Sequence, residues 1–80
     1  MMMILYGYRL DIKTGEMTAW ELETKDDMKV EFPVSYAGAD HYGVYLKEPN
    51  GLLARQIFLN MLKKDIAVYQ KSIDALTLCV

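Results

Sequence analysis

The sequence predicts an α+β domain, an antiparallel β-meander of three to four strands packed against one long C-terminal amphipathic helix. Two observations carry this. Apolar residues alternate at period two through much of positions 1–48, the mark of half-buried strands. From Leu52 to Leu78 there is no proline or glycine, and apolar residues recur three and four apart, the mark of a helix with one apolar side.

The first strand gives the clearest pattern. Ile4, Tyr6, Tyr8, Leu10 and Ile12 alternate with Leu5, Gly7, Arg9 and Asp11. Lys13-Thr14-Gly15 follows as a three-residue hairpin loop, with glycine in the left-handed region. That loop length sets Ile12 opposite Glu16, Leu10 opposite Thr18, Tyr8 opposite Trp20 and Tyr6 opposite Leu22. Every large apolar group of the hairpin then falls on one side, under the helix.

Lys25-Asp26-Asp27 reads as the next turn. Met28, Val30 and Phe32 form a third strand that ends at Pro33. Ser35 to His41 is a loop of small residues. Tyr42, Val44 and Leu46 make a fourth strand, weakened by Gly43. Asn50 stands where a helix N-cap is expected.

In the helix, Leu59, Leu62, Ile66, Tyr69, Ile73, Leu76 and Val80 form a heptad-like seam, which is assigned to the sheet. A second row, Ile57, Met61, Val68 and Ala75, is left facing outwards. Asp65 offers a point where the helix would break and be capped anew. A helix over 52–78 is about 40 Å long at about 1.5 Å per residue. An eight-residue strand spans about 27 Å, so the helix is expected to overhang the sheet.

The composition bounds the function. Eighty residues make one domain, 1–80, divided into a meander over 1–48 and a helix over 50–79. A content of 52% hydrophobic and 25% charged residues is that of a folded chain, not a disordered one. The single cysteine, Cys79, rules out an internal disulfide and a thiolate zinc site, and a cytoplasmic location with a reduced thiol is expected. No segment reads as a targeting signal or membrane span. The net charge of −2 lacks the concentrated positive patch of a phosphate-backbone reader, so no nucleic acid is expected as partner.

Candidate chemistry is sparse. Asp40-His41 is the sole histidine–carboxylate neighbour pair, and no second histidine or nucleophile accompanies it, so neither a catalytic residue nor a metal ligand is assigned. Glu21, Glu23, Asp26, Asp27 and Glu31 cluster around the second hairpin, without the spacing of a calcium loop. The tyrosine-rich stretch holding Tyr36, Asp40, His41, Tyr42 and Tyr45 has the mixture of aromatic and small residues that binding surfaces favour. No cofactor is expected.

These features point to a non-enzymatic protein-interaction module, self-associating as a homodimer through Ile57, Met61, Val68 and Ala75, and suited to dock on a larger assembly as a subunit or inhibitor. The alternative is a small-molecule-binding domain or minor enzyme centred on the Asp40, His41 and tyrosine loop. A third reading is an acidic inhibitor that mimics a phosphate backbone.

Overall fold

The computed structural model describes residues 3–24 and 31–78. Within them lie β1 (Met3–Asp11), β2 (Met17–Thr24), β3 (Val34–Ala37), β4 (His41–Leu46) and α1 (Gly51–Leu78). The four strands form one antiparallel sheet packed with a single C-terminal helix, the expected α+β class. Their order is β2-β1-β4-β3. The strands therefore form two hairpins, β1–β2 and β3–β4, joined through β1 and β4, where a sequential meander would place β3 beside β2.

The helix-facing core is laid down by alternation. Tyr8 pairs with Val44, and Leu10 with Tyr42, so these side chains share one face. There they meet Ala54 and Phe58 of α1, with Leu46 completing the buried cluster. Val44 is wholly enclosed, at 0% exposure. α1 lies over the β1–β4 pair. Asn50 caps its start as expected: its side-chain oxygen accepts the Leu53 N–H at 3.0 Å and its carbonyl accepts the Ala54 N–H at 3.1 Å.

The β1–β2 register differs by one residue from the expected one. Tyr8 faces Ala19, Gly7 faces Trp20 and Leu5 faces Leu22. The cause is local. The Asp11 carboxylate accepts the Lys13 and Thr14 N–H groups, an arrangement aspartate favours in turns. The Asp11 N–H donates to the Glu16 carbonyl at 2.9 Å, closing the loop one residue early. Ile12 joins the loop and donates its N–H across to the Asp40 carbonyl. Gly15 supplies the left-handed residue, at φ 76°. Because side chains alternate, the slip carries Trp20 and Leu22 to the face opposite α1.

The third strand also moves. Of the expected Met28, Val30 and Phe32, the first two lie outside the described residues, as does the Lys25-Asp26-Asp27 turn. Phe32 sits in an irregular segment that enters β3 through a cis Phe32–Pro33 bond. β3 instead occupies part of the expected loop, because Val34 and Tyr36 alternate with Ser35 and Ala37 and pair along β4.

α1 runs unbroken past Asp65 to Leu78. The side meeting the sheet is the Ala54 and Phe58 row, with Ile57, Met61 and Leu62 packed beside it. The assignment of the Leu59 seam to the sheet is thus reversed: Leu59, Ile66, Tyr69, Ile73 and Leu76 are all exposed. At about 100° per residue the two rows lie roughly 70° apart around the helix, and the bulk of Phe58 decides which one the sheet accepts. The long dimension of the molecule is 60 Å, against 26 and 19 Å across, as an overhanging helix requires.

Candidate functional site

Two surfaces carry the residues of interest. The first is the sheet face opposite α1. The register gathers Trp20, Tyr45, Tyr36 and His41 there. Trp20 meets Tyr45 edge to face at 5.9 Å between ring centres, Tyr45 stacks with Tyr36 at 6.1 Å, and Tyr36 meets His41 edge to face at 6.0 Å. These are the preferred geometries for aromatic pairs.

The row fits because glycines lie under it. A Cβ on Gly7 would stand 2.4 Å from the Trp20 ring, and one on Gly43 would stand 2.1 Å from the Tyr36 ring. Only a residue without a side chain admits that approach. Just past β4, the Lys47 ammonium stands 5.5 Å from the centre of the Phe32 ring.

Of the five loop residues singled out in the sequence, Tyr36, His41 and Tyr45 come together here. Asp40 sits beside them in the β3–β4 turn, where its carboxylate accepts the His41 Nδ1–H at 2.9 Å. That hydrogen bond is the main cause holding the Asp40 carboxyl below its usual range. Tyr42 points the other way, into the core, and donates its hydroxyl to Asp65. Trp20 is the member that sequence reasoning assigned to the opposite face. The signal that would have placed it was Gly7, a gap in β1 that needs a large cross-strand neighbour.

The second surface is the part of α1 beyond the sheet. Of the expected interface row, Ile57 and Met61 pack against the core, whereas Val68 is exposed on the projecting half and so is Ala75. The larger apolar surface there is the seam. Ile66 is 64% exposed and Leu76 is 76% exposed, with Tyr69 and Ile73 between them in the same state.

Where this seam runs back beside the sheet it borders a cleft of about 350 Å³, walled by Leu10, Ile12, Met17, Phe58, Leu59 and Leu62. Arg55 and Asp11 stand at its rim. Among the described residues no three histidine, cysteine or acidic side chains are grouped to hold a metal ion, and no helix is long and apolar enough to cross a membrane. No family model, curated protein or solved structure matches the chain.

Proposed function

We propose that this chain is a protein-interaction module that self-associates through the projecting half of α1, as a two-fold homodimer in a cytoplasmic setting. The carrying observation is the seam Ile66, Tyr69, Ile73 and Leu76, four large apolar side chains exposed on one side of a helix that has left its own sheet. Contiguous apolar surface of this kind marks interaction sites on soluble proteins. Spacings of three and four residues are those by which helices pair.

An antiparallel arrangement suits the geometry. It sends the two sheets to opposite ends of the paired helices and opposes their dipoles favourably. Isologous contact then repeats the same patch on both copies.

The test is sedimentation equilibrium on the wild-type chain and on a variant carrying Ile66→Glu and Ile73→Glu. The wild type is expected to dimerise. The variant is expected to be monomeric with its sheet intact, because charges cannot be buried unpaired in the seam. A wild-type chain that stays monomeric over a wide concentration range would end this reading.

One observation favours a second reading, the aromatic row over Gly7 and Gly43. Four adjoining rings on an open sheet face offer an aromatic patch of mixed edges and faces to a planar ligand, with Arg9 on the same face. Ligand binding there would quench Trp20 fluorescence and be lost in Tyr36→Ala.

A further inference from the structure

We infer that the cleft between α1 and the β1–β2 hairpin is the seat for the projecting helix of a second copy, receiving its Ile73 and Leu76. This deepens the dimer reading above and rests on it.

Leu59 and Leu62 belong both to the seam and to the cleft wall. A helix paired along the seam therefore does not merely touch α1; it lies in the corner between α1 and the sheet. The far wall of that corner is Leu10, Ile12 and Met17 of the hairpin. α1 covers β1 and β4, which leaves this corner open beside β2.

Pairing the seam antiparallel with all its described members matched sets Leu59 opposite Leu76 of the second copy, Leu62 opposite Ile73, and Ile66 opposite Tyr69. In an antiparallel pair each flank meets its own kind, which sets Lys63 beside Gln70 and Asp65 beside Ser72 of the second copy. No like charges meet on the flanks, and Lys64 and Lys71, which stand level, lie on the outer faces away from the seam.

The seam from Leu59 to Leu76 covers about two and a half heptads, short of the three to four that sustain a coiled coil alone. Helix–helix contact by itself is too little for a stable dimer. The apolar walls of the two cleft copies supply what is missing, and the volume of each, about 350 Å³, accommodates the ends of two aliphatic side chains. Each cleft is thus completed only by the other copy.

The test uses the full chain in a Cys79→Ser background. Ile12 lies in the hairpin loop, is 38% exposed and lines the cleft; it contacts the second copy only if the cleft is the seat. Ile12→Glu is expected to weaken dimerisation by at least about 100-fold while its monomer melts near the wild-type temperature. Separately, Leu59→Cys and Leu76→Cys chains are expected to form a disulfide only when mixed, since the register opposes these two positions in different copies.

Several results would overturn the inference. If Ile12→Glu dimerises as the wild type does while the Ile66→Glu, Ile73→Glu variant is monomeric, the copies pair by helix alone; the dimer reading survives and the cleft assignment falls. Disulfides formed within either cysteine variant alone would show a parallel pairing and have the same consequence. A wild-type monomer, or one purified with a small apolar molecule in the cleft, removes both.

Discussion

Tyr42 of β4 donates its hydroxyl to the Asp65 carboxylate at the point where α1 leaves the sheet. The two ends of this contact differ in setting. Tyr42 is buried among core residues, while Asp65 is exposed on the helix. Removing one partner therefore should not equal removing the other. Tyr42→Phe leaves Asp65 free to take water and should cost about 0.5–1.5 kcal/mol. Asp65→Ala strands a buried hydroxyl and should cost more, about 1–3 kcal/mol. Adding Tyr42→Phe to Asp65→Ala should return part of that loss. Urea denaturation of the three variants checks the order.

The same contact gives a pH dependence. The hydrogen bond to Asp65, then burial, then the Asp65 charge push the Tyr42 pKa from 10.0 up to about 12. The folded state thus holds its proton more tightly than the unfolded chain does. The contribution to stability is fully present below pH 10 and is lost as pH rises through about 12. Wild type should lose more stability than Tyr42→Phe over that window, since phenylalanine has no proton to release. Tyrosinate absorbance should show one late-titrating tyrosine that is missing from the variant.

Phe58 and Trp20 should respond unequally to truncation. Phe58 is 2% exposed in the core between α1 and the sheet, and Phe58→Ala should cost about 3–5 kcal/mol. That is a large share of what a domain of this size has. Trp20 is half-buried on the other face, held by Tyr45 and the gap at Gly7. Trp20→Ala should cost less than Phe58→Ala. Thermal melts of the two variants decide it; equal losses would return Trp20 to the helix-facing core.

How far the sequence reveals this fold depends on the range of the interaction. The β1 alternation, the Asn50 cap and the uninterrupted run after Leu52 are local patterns, and the structure has all three. The β1–β2 register escapes alternation because both faces of the sheet carry large apolar groups. With Trp20 and Leu22 able to serve either face, alternation no longer chooses the register, and the Asp11 side chain does. β3 is hidden because Ser35 and Ala37 look like loop and gain strand geometry only from pairing with β4. On the helix, both apolar rows were visible, but only the volume of Phe58 against Tyr8 and Val44 decides which one is covered. Tyr36, His41 and Tyr45 were found together by proximity in sequence. Trp20 joins them through pairing across β1, for which the gap at Gly7 is the one signal.

Gly7 and Trp20 should be strongly coupled. A methyl at position 7 would lie 2.4 Å from the indole, and the ring cannot withdraw without giving up its contact with Tyr45. Gly7→Ala should cost about 1–3 kcal/mol, the range for overpacking. In a Trp20→Ala background the same change should be nearly neutral, since the space is then vacant. A double-mutant cycle measures this directly. Additive effects would mean that the indole does not occupy the gap.

The projecting half of α1 should be ordered only as far as association orders it. Beyond Asp65 the helix has thirteen residues, Ile66–Leu78, about the length at which an isolated helix is marginal in water. Its large apolar side chains there are exposed and add nothing to the core. Gln70–Asp74 and the Thr77 hydroxyl to the Ile73 carbonyl are its side-chain hydrogen bonds, and surface contacts of that kind add only a few tenths of a kcal/mol. Amide hydrogen exchange should therefore divide α1 in two. Residues 54–65 should be protected at every protein concentration, because Ala54 and Phe58 tie them to the sheet. Residues 66–78 should exchange quickly in dilute solution and become protected as concentration rises, in step with dimer formation by sedimentation. In the Ile66→Glu, Ile73→Glu variant the second segment should exchange quickly throughout, with the first unchanged. Strong protection of 66–78 in dilute monomer would show instead that the protomer covers this seam by itself.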